Sequence, residues 1–154
     1  MHTHFMRRAI ELSLINQDHN GGPFGAVIVK DGAIVGEGGN RVTASHDPTA
    51  HAEIVAIRDA CAKLNTFNLA GCSIYTSCEP CPMCLAAIYW ARIEKIYYAN
   101  TKDDAAAIGF DDAHIYRELS LDPAQRQLPA KQLLHAEGLE AFSLWQAKTT
   151  KTHY

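Results

Sequence analysis

Two short motifs constrain this chain more than any other feature. One is His51-Ala52-Glu53, and the other follows Pro80 and has two residues between Cys81 and Cys84. Imidazole nitrogen and thiolate sulfur are ligands that zinc prefers, and a catalytic zinc commonly takes three protein ligands and leaves its fourth position to water. We therefore predict that the fold brings His51, Cys81 and Cys84 to one point and binds one Zn²⁺ there.

The setting of both motifs favours a catalytic site. Asp47-Pro48 predicts the start of one helix and Pro82 the start of another. The positive end of a helix favours thiolate, so both cysteines should be deprotonated. Two thiolates and one imidazole leave Zn²⁺ formally neutral, and its bound water is then acidified less than at a three-histidine site. Glu53 is expected to act as the proton shuttle for that water.

Other interpretations of the motifs are a structural zinc site and a chance His-x-Glu on an ordinary helix. A structural site normally has a fourth protein ligand. Cys78 could fill that place, because it lies three residues before Cys81. A non-catalytic zinc-stabilised interaction module would, however, leave Glu53 without a task.

Composition restricts the classes of protein further. A chain of 154 residues with 47% apolar content fits one domain, and we expect residues 1–154 to form it. Lysine and arginine total 14 against 17 acidic residues, a net charge of −3, which makes a nucleic-acid partner unexpected. No apolar run is long enough for a membrane span, and the N-terminus lacks the apolar core of a signal peptide. We expect a cytoplasmic protein with reduced cysteines.

The order of predicted elements indicates an α/β fold. After a helix at 3–19, a hairpin pairs 25–30 with 33–37 across Asp31-Gly32, a dipeptide suited to a tight turn. The remaining predicted elements are a helix opening at Asp47-Pro48 with a core stripe of Ile54, Ile57, Cys61 and Leu64, a strand at 73–77, a helix from Pro82, a strand at 95–99, helical turns within 103–119 and a fifth strand at 131–135. This alternation predicts a three-layer α/β/α sandwich around a mixed, roughly five-stranded sheet.

Longer segments carry a resemblance to a known family. Residues 21–27, 46–53 and 76–84 resemble the cytidine deaminase-like superfamily, and the resemblance covers nearly the whole chain. Within that superfamily, residues 86–92, Gly109-Phe110-Asp111-Asp112 and the terminal His153-Tyr154 are most similar to the small bacterial guanine deaminases.

The resemblance implies a function and an assembly. It implies hydrolysis of guanine to xanthine and ammonia, in a homodimer whose exchanged C-terminal tails, about 148–154, close the partner's active site. It also implies substrate-binding roles. These fall on Asn40, Asp112, Phe24, Trp90 and Tyr154.

The chemistry of Asp112 supports the purine assignment independently. A carboxylate only accepts hydrogen bonds, whereas guanine offers a ring N–H and an amine; adenine has an unprotonated N1 on the corresponding edge. Without the resemblance, Asp112 reads as a helix cap, Asn40 as a turn residue and Trp90 as a packing residue. The rival enzymes are a tRNA adenosine deaminase, which shares the 46–53 and Cys-Glu-Pro-Cys segments, and a cytosine or cytidine deaminase.

Overall fold

The computed structural model describes residues 1–154, which form two compact units, Met1–Asp112 and Ala113–Tyr154. The N-terminal unit contains α1 (His2–Gln17), β1 (Gly25–Lys30), β2 (Ala33–Gly39), α2 (Val42–Ser45), α3 (Ala52–Leu64), β3 (Cys72–Cys78), α4 (Pro82–Trp90), β4 (Lys95–Asn100) and α5 (Lys102–Ala107). The C-terminal unit contains α6 (Ala113–Leu119), a 3₁₀ turn (Pro123–Gln125) and α7 (His135–Ala147).

A mixed four-stranded sheet organises the N-terminal unit, with strand order β2-β1-β3-β4. The predicted hairpin is confirmed: β1 and β2 are antiparallel, and Asp31 and Gly32 both have positive φ, 50° and 78°. Both angles belong to the left-handed region that a tight two-residue turn requires. β3 runs antiparallel to β1 and parallel to β4, with α4 as the crossover between the two parallel strands.

Helices cover both faces of this sheet, which confirms the three-layer α/β/α prediction. On one face, α1 packs Phe5 and Ala9 against alternate residues of β1 and against Tyr75. On the other face, Ala26 and Ile28 of β1 lie in a core shared with α3 and α4. Because successive side chains of a strand point to opposite faces, the buried run of β1 contributes to both cores.

The core stripe of α3 differs from the one we predicted. Its fully buried apolar residues are Ala52, Ala56 and Ala60, whereas Ile57, Cys61 and Leu64 are only partly buried around them. Large apolar residues were expected at the centre, but small ones allow the helix backbone to approach the sheet closely. The larger side chains then fill the margins.

Glycines on β2 meet this alanine stripe. A Cβ atom on Gly38 would lie 2.4 Å from the carbonyl oxygen of Ala52 and 2.6 Å from the amide nitrogen of Ala56. A Cβ on Gly36 would meet Ala56 and Ala60 at comparable distances. Contact between the α3 backbone and β2 therefore requires glycine at positions 36 and 38, because glycine has only a hydrogen atom in place of a side chain.

The start of α3 was also predicted wrongly. Helix α3 begins at Ala52 with His51 as its N-cap, and Asp47 does not cap it. Instead, the Asp47 carboxylate accepts hydrogen bonds from the amide and hydroxyl of Thr49, at 2.9 and 2.7 Å. Asp47 thus shapes a turn before the helix, which is a common use of Asp.

The predicted fifth strand does not form. Residues 131–134 are irregular and α7 starts at His135, so the sheet has four strands. None of residues 113–154 is buried. No helix in the structure has both the length and the apolar character to cross a bilayer.

We predict that Gly38→Ala destabilises the fold through overpacking. The added methyl group must displace α3 backbone, and such overpacking costs about 1–3 kcal/mol of unfolding free energy. Urea titration measures the change. Ala33→Val adds atoms to the same strand at an exposed position and serves as the control; equal stability of both variants would contradict this account of β2 packing.

Candidate active site

Two helix N-termini supply the predicted zinc ligands. His51 is the N-cap of α3 and Cys81 is the N-cap of α4, both with extended backbone, and Cys84 follows in the first turn of α4. Neither N-cap side chain hydrogen-bonds to its own helix. Both side chains are therefore available to a ligand, and the positive helix ends favour the thiolate form of the cysteines.

The distances between the three side chains fit a tetrahedral zinc site. His51 Nδ1 lies 3.6 Å from Cys81 Sγ and 3.5 Å from Cys84 Sγ. Zinc bonds of ~2.3 Å to sulfur and ~2.0 Å to nitrogen, at a tetrahedral angle, would separate these atoms by about 3.5 Å. His51, Cys81 and Cys84 are also the group of potential metal ligands that the fold assembles, with all ligand atoms within 4.8 Å of one another. The residues present therefore fit the ion.

The two cysteines differ in how readily they ionise. A hydrogen bond from the Cys84 thiol, and a further one with His51, lower the pKa of Cys81 to about 4 despite its burial. The same hydrogen bond to Cys81, together with burial, raises the pKa of Cys84. Protein groups alone thus support one thiolate, and a divalent cation between the sulfurs supplies the charge that favours the second.

Glu53 faces this group without belonging to it. Its side chain is only 8% exposed, in the first turn of α3. Burial raises the pKa of its carboxyl group, while hydrogen bonds from its own backbone and from the Cys84 thiol counteract this. A carboxylate beside a metal site, in low-dielectric surroundings and with a raised pKa, is suited to accept and return a proton.

Cys78 lies outside the ligand group. Its thiol donates a hydrogen bond to the carbonyl oxygen of Thr101 at 3.6 Å. Burial, followed by the negative charges of Glu53, Glu79 and Asp112, raises the pKa of Cys78 to about 11. The Cys78 thiol is thus bonded to backbone and lies outside the group of side chains that converge on one point, so the fourth-ligand alternative loses its candidate.

Glu79 connects the metal-ligand loop to the next helix. Its carboxylate accepts a hydrogen bond from the amide of Lys102 at 3.0 Å, and its own amide donates to the carbonyl oxygen of Asn100 at 2.8 Å. These bonds hold the segment before Cys81 against the start of α5. The carboxylate is thereby engaged with backbone.

The fold places Asn40 and Phe24 together. A Cβ atom on Gly22 would lie 3.4 Å from both the Asn40 amide carbon and the Phe24 ring. The Asn40 side-chain oxygen accepts a hydrogen bond from Val42 N–H at 3.1 Å, which leaves its NH₂ group as the available donor. Asn40 is thus both the turn residue of the alternative interpretation and a polar group beside Phe24.

Phe110 is an aromatic residue that the sequence analysis quoted but did not assign to the site. Its ring packs edge-on against Phe24, with a centroid distance of 4.9 Å and an interplanar angle of 89°. This contact brings the Gly109–Asp112 segment to Phe24. The sequence offered one signal for a role of Phe110: it follows Gly109 and lies two positions before Asp112, which was predicted to bind substrate.

Asp112 lies within electrostatic range of the metal ligands. Burial raises the pKa of its carboxyl group, and the Cys81 thiolate raises it further. Asp112 also contributes to the raised pKa of Cys78. Asp112 directly precedes α6, so both the cap alternative and the substrate-binding role stay predictions.

Trp90 and Tyr154 occupy different positions. Trp90 ends α4, about 13 Å along the helix axis from Cys81 at ~1.5 Å per residue, and is 67% exposed. Trp90 is therefore not part of the core of this chain, which leaves contact with a partner as the packing alternative, and its role in substrate binding stays a prediction. Tyr154 ends the C-terminal unit and is also exposed.

Comparison with known proteins agrees with this geometry. A family profile described as the cytidine and deoxycytidylate deaminase zinc-binding region matches residues 1–100. That span contains all three candidate ligands and Glu53.

The chain belongs to this deaminase family. Guanine deaminase of Bacillus subtilis is 51% identical over 154 residues, covering 99% of both chains. Its crystal structure superposes with a TM-score of 0.97 over 100% of this chain and 99% of the other. A tRNA-specific adenosine deaminase of Agrobacterium fabrum is 42% identical over 106 residues, covering 69% of this chain and 70% of its own.

We predict that this deaminase loses zinc when a ligand sulfur is removed. Loss of residues that only support a ligand costs 10–100-fold in metal affinity, so Cys81→Ala and Cys84→Ala should each cost more than about 100-fold. Zinc per chain after dialysis against a weak chelator measures this. Cys78→Ser and Cys61→Ser are the controls and should keep the metal; zinc loss in Cys78→Ser would restore Cys78 as a ligand.

Proposed function

We infer that this protein is a zinc-dependent guanine deaminase, which hydrolyses guanine to xanthine and ammonia. The observation that carries the inference is the buried Glu53 beside a three-ligand zinc group, in a chain that matches a bacterial guanine deaminase along nearly its whole length. A structural zinc site would not require an ionisable carboxylate buried at its edge.

The mechanism assigns proton transfer to Glu53. His51, Cys81 and Cys84 would hold zinc, which would supply Lewis acidity and lower the pKa of the water molecule that attacks. Glu53 takes the proton from the attacking water and delivers it to the ring nitrogen next to the amine-bearing carbon. Glu53 then takes the remaining proton from the hydroxyl group that the attack has placed on this carbon and transfers it to the amine, which leaves as ammonia while the carbonyl forms.

Substrate recognition is assigned to the residues around Phe24. The Asn40 NH₂ group is oriented to donate to a purine acceptor, since its oxygen is already bonded to Val42. Asp112 accepts from the donors of guanine. Phe24 offers an aromatic face or edge to the ring.

Asp112 and the overall charge favour guanine over a tRNA adenosine substrate. Adenine places an unprotonated nitrogen where guanine has N–H, so a carboxylate there meets no donor, and an unpaired buried polar group costs about 1–3 kcal/mol. The net charge of −3 also gives the chain no excess of positive charge for phosphates.

The C-terminal unit supports the proposal of an exchanged homodimer. The apolar residues of α7, Leu139, Phe142, Leu144 and Trp145, are all exposed. At ~100° per residue they spread around the helix, and a helix that is apolar on several sides requires cover. A second copy of this chain would provide it.

We propose that residues 1–154 work as one deaminase domain whose tail, 148–154, closes the active site of the partner subunit. Tyr154 would belong to that lid, and the exposed Trp90 would line the pocket or the subunit contact. All five cysteines are free thiols, which agrees with the reducing cytoplasm as the place of action.

Replacing Glu53 tests the proton shuttle. Glu53→Gln keeps size and polarity but cannot carry the proton, so kcat should fall by about 100-fold or more while zinc content is unchanged. Ammonia release from guanine and metal analysis measure both quantities. Glu79→Gln is the matched control, because glutamine can still accept the Lys102 hydrogen bond. Full activity of Glu53→Gln would remove Glu53 from the mechanism.

Replacing Asp112 tests the choice of substrate. Guanine, adenine, cytosine, their nucleosides and a tRNA anticodon hairpin are compared, and the parent protein should act on guanine. Asp112→Asn loses one acceptor and gains a donor, so kcat/KM for guanine should fall by about 10–100-fold. Asp111→Asn is the adjacent control. Parent turnover confined to the hairpin would reject the guanine assignment.

Mixing two inactive variants tests the exchanged tail. Deletion of residues 148–154 should lower turnover of guanine and leave zinc content intact. When the truncated protein is unfolded, mixed with full-length Glu53→Gln and refolded, a mixed dimer joins an intact Glu53 site to a complete tail, and activity should return. Absence of recovery, with mixed dimers verified by mass, would contradict lid closure across subunits.

A further inference from the structure

Asn16 is a buried polar residue that has no role in the predictions from sequence or in the proposed mechanism. It lies in the last turn of α1 and is 7% exposed. It shares the buried side of this helix with Phe5, Ala9 and Ser13. A buried amide in such a stripe requires hydrogen-bond partners, so its contacts indicate its role.

The Asn16 amide joins two loops. Its Nδ2 donates to the carbonyl oxygen of Gly22 and to that of Asn40, each at 2.8 Å. Both hydrogens of the NH₂ group are thereby used. The Asn16 backbone carbonyl also accepts from Gly21 N–H at 3.1 Å. One helix residue therefore fixes the segment before β1 and the segment after β2.

Glycines allow the amide to approach these loops. A Cβ on Gly21 would lie 2.2 Å from Asn16 Nδ2, and a Cβ on Gly39 would lie 2.4 Å from Asn16 Oδ1. A side chain at position 21 or 39 would therefore collide with the Asn16 amide where it now lies. The amide thus occupies a slot between two glycines that have hydrogen where a side chain would begin.

The two loops are those that present Phe24 and Asn40. Phe24 N–H donates to Gly22 O at 2.8 Å, and Asn40 N–H donates to Phe24 O at 3.2 Å. Gly22 O is also an Asn16 acceptor. Displacement of Asn16 would therefore move the backbone of both residues.

We propose that Asn16 is a positioning residue for purine binding, which acts by fixing Asn40 and Phe24. This proposal rests on the function proposed above for those two residues. Asn16 itself contacts no substrate. Its loss should weaken guanine binding through misplaced Asn40 and leave the zinc group intact.

Asn16→Asp tests the proposal at nearly constant shape. A carboxylate cannot donate to the two carbonyls and repels them, so KM for guanine should rise by about ten-fold or more, with a smaller change in kcat and unchanged zinc content. Ser13→Ala is the matched control, because the buried Ser13 hydroxyl bonds only to Ile10 O within the same helix. If Asn16→Asp does not fold, Asn16→Ser, which keeps one donor, takes its place.

A double-mutant cycle separates positioning from general support of the fold. If Asn16 acts through Asn40, then Asn40→Ala combined with the Asn16 variant should lower kcat/KM little more than Asn40→Ala alone. Additive losses, or an unchanged KM in the Asn16 variant of an enzyme that does deaminate guanine, would overturn the proposal.

Amide hydrogen exchange without substrate gives a readout independent of the reaction. The Asn16 variant should lose protection at Phe24 and Asn40, while Ser13→Ala should not. If the parent protein fails to deaminate guanine but this loss of protection occurs, the proposed function is wrong, whereas Asn16 does fix the backbone at Phe24 and Asn40. If protection is unchanged, Asn16 does not fix these residues, whatever the substrate is.

Discussion

Close contact between α3 and β2 is the constraint on which the site depends. Glycines at 36 and 38 and alanines at 52, 56 and 60 allow helix backbone to lie against strand backbone. The first of these contacts, Gly38 with Ala52, is adjacent to His51 and Glu53 in the chain. Packing of the core thus determines where the zinc ligand His51 and the proposed proton shuttle Glu53 are held. A shift of α3 against β2 would therefore also shift His51 and Glu53, because a densely packed interior has little free space to absorb it.

The convergence of two helix N-termini explains why the metal ligands could be predicted from sequence. His51, Cys81 and Cys84 are each local features of a helix start, and proline after Cys81 marks one such start. The core stripe of α3 could not be predicted so well. Helical periodicity favoured large apolar residues, but β2 glycines select small ones. The β2 glycines and the α3 alanines are distant in the sequence, so the sequence of α3 alone does not indicate that its small residues face the sheet.

The fifth strand at 131–135 shows a different limit. Polar residues flank Leu133 and Leu134, and a short strand and an irregular segment can both have this pattern. Which one forms depends on whether a sheet edge accepts the segment, and that is not a property of the segment itself. Asn16 was missed for a similar reason: a polar residue in a helical stripe acquires meaning only when its acceptors, Gly22 and Asn40, are known.

The zinc ligands lie in one part of the chain, whereas the proposed substrate contacts are divided between that part and the residues that follow it. The zinc ligands and Glu53, the proposed proton shuttle, all lie within 1–100, which the deaminase family profile covers. Phe110, Asp112 and the C-terminal tail lie beyond that span. The tRNA-specific adenosine deaminase of Agrobacterium fabrum matches 69% of this chain, whereas the guanine deaminase of Bacillus subtilis matches 99% of it. Asn16 also lies within the span of the family profile, and the residues that it is proposed to position, Asn40 and Phe24, are assigned to substrate binding. Divergence in substrate choice within this fold then requires changes in loop position as well as in the residues that contact the base.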